Sequence, residues 1–303
     1  MNKPMTVSCI IPTHLRPEYL NLAIESVIKQ THLPDEIVVV SDVSDADARA
    51  VCVQAQARVE VPIRYCEPPN TAGGASRSRN YGARMATGDI LAFLDDDDLW
   101  CPDYLHHALA RLQETNRQLV VTWLAEFLDD EYFDGASMVE GLPPSASAAM
   151  NPGATGSNVV LPADVFWLVG GYDPELLVKN DTDFLYRFLQ AGCSYAVVSE
   201  RLVLQRRHRS GQLTQKSAKR ANGTEMYLMK HKSSLSKEDI QTLRRSIHHI
   251  KSHSEKIFVF RLYHSLRLAL YYRPVEILHA AQNVDVIARL RGHDRTRLNS
   301  VSR

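Results

Sequence analysis

The chain has 303 residues, 45% hydrophobic and 23% charged, a balance that excludes wholesale disorder, collagen-like repeats and coiled-coil rods. Lys plus Arg and Asp plus Glu are each 35, yet residues 201–303 hold 22 basic and only 7 acidic side chains. The acidic body left behind argues against general nucleic-acid binding, whereas the basic end suits anionic lipid or another acidic surface.

In chain order, the first half alternates strand and helix. Residues 7–11 form a short apolar run ending at Pro12, the signature of a buried strand. Pro17 suits the first turn of a helix, and Tyr19, Leu20, Ala23, Ile24, Val27 and Ile28 keep helical spacing. Residues 37–40 read as a strand, 45–57 as a helix, 63–66 as a weaker strand, 75–86 as a helix and 90–94 as a strand. This alternation predicts a parallel, doubly wound sheet. Pro102 opens a further helix to about Thr115, and 119–124 reads as a strand. Residues 134–157, rich in Gly, Pro, Ser and Ala, read as a flexible loop over a site. Short helices are expected at 163–169 and 181–191, and strands at 195–198 and 202–205.

Beyond about residue 216 the pattern becomes helical, with helices expected at 217–231, 236–252, 255–272 and 275–290. Ser236 followed by Asp239 resembles a helix N-terminal cap. The segment 241–272 combines apolar residues with Arg244, Arg245, Lys251, Arg261 and Arg267, a pattern suited to peripheral contact with an anionic membrane. Packing on the preceding body, or against a second copy in a homodimer, is the alternative. The five cysteines are widely spaced with no CxxC pair, which argues against zinc and a disulfide framework. The N-terminal apolar run is short for a secretory signal, and no stretch of about 18 apolar residues suggests a spanning helix. A cytoplasmic setting, at the inner face of the plasma membrane if the basic helices dock there, is the expectation.

The strongest chemical signal is Phe93-Leu94-Asp95-Asp96-Asp97-Asp98-Leu99-Trp100. Four adjacent carboxylates repel one another unless something cationic neutralises them. Directly after an apolar strand they fall where open α/β sheets bind ligands. A divalent cation carrying phosphate oxygens is the natural partner, since Mg²⁺ is commonly held by one or two carboxylates plus substrate phosphates.

The segments CIIPTHLRPEYL, EIVVVSDVSD, NTAGGASRSRNYGARMATGDILAFLDDDDLW and VGGYDPELLVKNDTDFLYR, in this order over about residues 6–210, resemble family 2 glycosyltransferases of the GT-A fold. That resemblance implies a mostly parallel, Rossmann-like α/β sheet flanked by helices, with a catalytic domain over 1–215 and a basic, all-helical C-terminal region over 216–303. Residues 1–100 would form its nucleotide-sugar side and 101–215 its acceptor side. The implied activity is transfer of a sugar, with inversion, from a nucleotide-diphosphate sugar (UDP most readily) to a glycan or lipid-linked acceptor in cell-surface polysaccharide assembly. Mn²⁺ or Mg²⁺ would be the cofactor.

By position, Asp97 matches the metal-binding acid of the family motif, Asp96 the one near the ribose and diphosphate, and Asp95 its first Asp. Asp42 matches the aspartate that hydrogen-bonds the nucleobase, although Ser41-Asp42-Val43-Ser44 stands where the family has Asp-Asp-Gly-Ser. Pro12 and Thr13 match the backbone against the base, with Arg16 either reaching the same pocket or exposed. Gly73, Gly74, Arg79, Asn80 and Gly82 match the loop and helix beneath the diphosphate. Asp181 matches the catalytic base, with Asn180 in place of the family's Glu, and Asp183 is the backup. His208 resembles a histidine some members place near the metal. Core packing is the better role for Trp100, Trp123 and Trp167. A nucleotidyltransferase on the same sheet, or an inactive scaffold, are the rival functions. Thr13-His14-Leu15-Arg16 lacks the Gly/Lys-rich anion loop of the first, and intact Asp97 and Asp181 argue against the second.

Overall fold

The computed structural model describes residues 5–69, 73–208, 217–254 and 257–269. The alternating half forms as the periodicity predicts: β1 (Val7–Thr13), α1 (Pro17–Ile28), β2 (Glu36–Ser41), α2 (Ala46–Gln56), β3 (Ile63–Cys66), α3 (Ala75–Met85) and β4 (Ile90–Phe93). β1 pairs in parallel with β2 and β4, and β2 with β3. Every residue of β1, β2 and β4 is buried, as strands covered by helices on both faces must be.

The pleat sorts the core into two layers. Val7, Cys9 and Ile11 pack with Leu20, Ile24, Val27 and Ala48 of α1 and α2. Ile10, Val38 and Val40 point the other way, with Ala83 of α3, Phe166 and Phe184. Each face therefore takes alternate residues of the same strand.

The second half is mixed. β5 (Leu99–Trp100), α4 (Tyr104–Thr115), β6 (Leu119–Leu128), β7 (Glu131–Asp134), α5 (Pro144–Ala148), β8 (Val159–Pro162), α6 (Ala163–Leu168), α7 (Asn180–Gln190) and β9 (Tyr195–Arg206) follow in order. The sheet runs β3-β2-β1-β4-β8-β6-β9-β5, with β7 paired to β6. β8 is antiparallel to β4 and β6, while β6 and β9 are parallel. The two strands expected at 195–198 and 202–205 are one. β9 runs through exposed Ser199 and Glu200, and the ladder to β6 shifts register near Thr122–Leu124, which lets the strand turn without ending. The loop expected over 134–157 contains α5 and is pinned by buried residues. Asn151 Oδ1 accepts from the Gly153 and Ala154 amides at 2.9 Å each, and Met138 and Ser147 are buried.

Three helices follow: α8 (Ala218–His231), α9 (Lys237–Ser254) and α10 (Phe258–Ala269). The Ser236–Asp239 cap forms, with the Asp239 amide donating to Ser236 Oγ at 3.0 Å. Tyr227, Leu228, Leu243 and Ile247 of α8 and α9 pack with Ala148, Leu176 and Tyr186 of the preceding body. The boundary expected near 215 and the helix expected over 275–290 lie outside the described residues. Among the described residues no helix is long and apolar enough to cross a membrane.

Candidate active site

A cleft of about 1050 Å³ opens beyond the carboxyl ends of β1, β2 and β4. It is lined by Pro12, Thr13, Asp42, Arg79, Asp95, Asp96, Asp97, Asp181 and His208 together. Residues spread over almost 200 positions thus meet because parallel strands deliver their ends to one side of the sheet.

The four carboxylates after β4 alternate. Asp95 and Asp97 face the cleft, while Asp96 and Asp98 are 1% and 3% exposed. Asp98 is the structural member: its carboxylate accepts from Ser157 Oγ at 2.6 Å and the Arg206 amide at 3.0 Å. Its own amide donates to the Asp95 carbonyl at 3.1 Å and closes the turn. Asp96, expected beside the ribose and diphosphate, is turned inward. It accepts from Thr13 Oγ1 at 2.7 Å and Arg16 Nη2 at 2.5 Å, and burial pushes its carboxyl up to about 7 despite that cation. Arg16 also reaches Asp97 Oδ2 at 2.8 Å, which settles its place in the pocket. His208 Nε2 lies 2.8 Å from the same Asp97 oxygen. Mutual repulsion of the run is thereby offset in part by the Arg16 guanidinium.

Arg79 is 3% exposed, pairs with Asp95, and lies 4.0 Å from Asp181 Oδ1, with its guanidinium 5.0 Å from the Tyr172 ring. It bridges two carboxylates from beneath rather than standing open to a ligand. Room for it comes from Gly156, where a Cβ would lie 2.1 Å from Arg79 Nη2. No sequence pattern marks Gly156, Ser157 or Arg206, because each acts on the acidic run through a long-range contact.

Asp42 accepts from the Gly74 amide at 2.9 Å and meets His14 Nδ1 at 2.5 Å. A Cβ on Gly73 would come 2.6 Å from Asp42 Oδ2, so this glycine permits the approach of its loop. Gly73 and Gly74 border Asp42 and do not line the cleft.

Asp181, in the first turn of α7, presents a quarter of its side chain to the cleft, and its Oδ1 accepts no hydrogen bond among the described residues. Burial raises its carboxyl to about 6, against the opposing pull of Arg79. Asp183, proposed as its backup, is excluded by its surroundings. It is fully buried, accepts from His231 Nε2 at 2.7 Å and Arg187 Nε at 2.8 Å, and pairs with Lys230 Nζ at 2.7 Å. Burial alone would raise Asp183, but these donors hold it down at about 2. The helical turn separates two aspartates two residues apart, one facing the cleft and one the C-terminal helices. Trp100, stacked 4.4 Å from Tyr104, and Trp123, bonded to the Met138 carbonyl at 2.9 Å, are packing residues as expected.

Two protein donors, Asp97 Oδ2 and His208 Nε2, fit a divalent cation whose other ligands are phosphate oxygens. Among the described residues no three His, Cys, Asp or Glu side chains converge on one point.

Comparison with known proteins bears on the family and the fold. The chain belongs to glycosyl transferase family 2, whose model matches residues 8–157. An uncharacterized glycosyltransferase of Rickettsia typhi is 27% identical over 197 residues, 62% of this chain and 60% of that one. The glucosyl-dolichyl phosphate glucuronosyltransferase of Haloferax volcanii is 30% identical over 190 residues, 58% of this chain and 59% of its own length. The chain thus spans about three fifths of the length of these curated relatives. Among solved structures, the mannosyltransferase PcManGT of Pyrobaculum calidifontis, in complex with GDP-Man and Mn²⁺, superposes with a TM-score of 0.60 at 14% identity, over 96% of this chain and 87% of that one. S. aureus TarS 1-349 in complex with UDP-GlcNAc gives 0.56 at 18% identity, over 88% and 71%. At such identities the likeness establishes the fold, which is GT-A.

Proposed function

We propose that this chain transfers a sugar from a nucleotide-diphosphate sugar to an acceptor hydroxyl with inversion, using Asp181 as base. The carrying observation is that Asp181, with a quarter of its side chain exposed and a carboxyl raised to about 6, shares one cleft with Asp97 and His208. A base near that value is ionised at neutral pH yet basic enough to draw a proton from an alcohol in the transition state. The exposed part of the Asp181 carboxylate takes the acceptor hydroxyl's proton as the hydroxyl oxygen bonds to the anomeric carbon. The bond from that carbon to the diphosphate breaks on the opposite face, and its electron pair leaves with the nucleoside diphosphate. Arg79 holds Asp95 and Asp181 in register, and Arg16 aligns Asp97. Asp97 and His208 would hold Mn²⁺ or Mg²⁺, which when bound supplies positive charge to the departing diphosphate. Pro12, Thr13 and Asp42 form the nucleoside end, with Gly73 and Gly74 supporting Asp42.

We assign the catalytic portion to 1–215 and the helical portion to 216–303. The helices are read as bringing the enzyme to a lipid-linked or cell-surface glycan acceptor. Phe258, Val259, Phe260 and Leu266 of α10 are 53–68% exposed, and Arg261 and Arg267 lie among them, which supports peripheral contact with anionic lipid.

The test is thermal unfolding against UDP, GDP, CMP and dTDP, each with and without Mn²⁺. Ligands that bind the folded state raise the midpoint. A Mn²⁺-dependent rise with one nucleoside diphosphate is expected. No shift with any pair, from well-folded protein, would overturn the donor site.

A further inference from the structure

The cleft has a second wall that the chemistry above does not use. β8 is antiparallel to both β4 and β6, and β9 is parallel to β6, so β6 and β9 run in the direction of β4 and end on the same edge of the sheet. From those two ends Glu126, Leu128, Gln205 and Arg207 line the cleft. Glu126 stands opposite Gln205 across the β6–β9 ladder and opposite Phe133 across the β6–β7 ladder, so the three share one face. Arg207, one residue past β9, is fixed to the same row. Its amide donates to the Phe127 carbonyl at 2.8 Å, its Nε donates to Glu126 Oε2, and its guanidinium lies 4.6 Å from the centre of the Phe133 ring. A guanidinium held between a ring and a carboxylate keeps one orientation.

The Glu126–Arg207 bond uses one oxygen of the carboxylate and one nitrogen of the guanidinium. Glu126 Oε1 and the two terminal nitrogens of Arg207 stand outside it, on side chains that are 20% and 36% exposed. With the Gln205 carboxamide beside them, the row is neutral as a set and offers both donors and acceptors on planar groups. A sugar hydroxyl both donates and accepts, and neighbouring hydroxyls suit forked side chains of this kind. A free anion suits the row less well, because Glu126 would oppose it. Place along the sheet also matters. In the order β2-β1-β4-β8-β6-β9, Asp42 follows β2, the acidic run follows β4, and this row lies at the far end. A nucleoside diphosphate spanning the first two leaves the row to what lies beyond the diphosphate.

We propose that Glu126, Gln205 and Arg207 form a sugar-binding subsite for the acceptor, which presents a neutral, hydroxyl-rich ring to this wall. The assignment rests on the glycosyltransferase reading of the cleft and narrows the acceptor to a molecule that already carries a sugar.

The test uses the full chain with the donor site filled by saturating nucleoside diphosphate and Mg²⁺. The methyl glycosides of glucose, galactose, mannose and N-acetylglucosamine are titrated by saturation-transfer NMR into wild type, Glu126→Gln and Arg207→Met. At least one glycoside should bind wild type, and each variant should bind it about tenfold or more weakly, the worth of a lost hydrogen bond to a charged group. Affinity for the nucleoside diphosphate should stay unchanged in Glu126→Gln. No binding by any of the four glycosides, or equal binding by wild type and both variants, would overturn the subsite. Displacement of the bound glycoside by the same nucleoside diphosphate carrying glucose would place the row at the donor sugar and also overturn the assignment. Unfolding midpoints in buffer show whether either variant has lost its fold, and Glu126→Gln keeps the shape of the side chain. If wild type binds no nucleoside diphosphate, the donor reading fails by itself, and the glycosides titrated into nucleotide-free wild type and Glu126→Gln still decide the subsite.

Discussion

The two aspartates of α7 should respond in opposite ways to the same substitution. Asp181 has its carboxyl raised from 3.8 to about 6 by burial. The folded chain therefore holds this proton more tightly than the unfolded chain between about pH 4 and 6, and ionisation of Asp181 lowers stability above that window. At about 1.36 kcal/mol per pH unit the cost is about 3 kcal/mol, reduced to about 1–2 kcal/mol because water reaches a quarter of the side chain. Asp181→Asn removes that cost, so the variant should unfold a few degrees higher than wild type at pH 7.5 and at the same temperature near pH 4. Its transfer rate should fall by about 10²–10⁴, the worth of a positioned general base. In wild type, kcat/KM should rise with pH to a plateau above about 6. Asp183 is the reverse case. Its carboxyl is held at about 2, so its stabilisation is full above about pH 4 and is lost as pH falls toward 2. Asp183→Asn strips a buried carboxylate from Arg187, Lys230 and His231 and should cost about 3–5 kcal/mol at neutral pH. Denaturant unfolding at pH 4 and 7.5, paired with rate measurements, reads both. An Asp181→Asn protein less stable than wild type at pH 7.5, or one that keeps its rate, would refute the assignment of Asp181 as a strained base.

Other consequences are equally direct. Gly156→Ala would place a methyl group against the Arg79 guanidinium, costing about 1–3 kcal/mol in denaturant unfolding and lowering turnover as Arg79 shifts from Asp95 and Asp181. Asp97→Asn should abolish the Mn²⁺-dependent part of nucleoside diphosphate binding in calorimetry, since it weakens the oxygen that also meets Arg16 and His208. A Phe258→Asp, Phe260→Asp double variant should lose sedimentation with phosphatidylglycerol vesicles while keeping its unfolding midpoint, because both side chains are exposed.

What could be read from the chain and what could not divides by the range of the interactions. β1, β2 and β4 were legible because strands buried on both faces must be continuous apolar runs, and their parallel order put Asp95–Asp98 at the ligand-binding edge. β5 and β7 were not, being 2 and 4 residues long and held by pairing to β9 and β6 rather than by their own pattern. The alternation of the acidic run follows from the turn that the Asp98 amide closes onto the Asp95 carbonyl. Which two carboxylates turn inward depended on Thr13, Ser157 and the Arg206 amide, up to 108 positions away. In the same way, spacing separates Asp181 from Asp183. Only the arrival of His231 and Lys230 from α8 decides which of them is neutralised and which is left able to accept a proton.

That dependence makes the C-terminal helices part of the site rather than an appendage to it. α7 carries the proposed base on one side, and on the other it is fastened to α8 and the turn after it, through Asp183 with His231 and Lys230 and through the Tyr186 hydroxyl, which donates to the Ser234 carbonyl at 3.1 Å. Arg220, Thr224, Thr242 and Ser246 of α8 and α9 also line the cleft. The basic surplus after residue 200 is therefore used in two places: Lys230 pairs with Asp183 of α7, and Arg206, Arg207 and Arg220 line the cleft. A chain with zero net charge thus gathers Asp95, Asp96, Asp97 and Asp98 on one side of the cleft and side chains of α8 and α9 on another. Loosening α8 would be felt at Asp181 before it was felt in the sheet, because Lys230 and His231, which hold Asp183 of α7, belong to α8 and not to the strands.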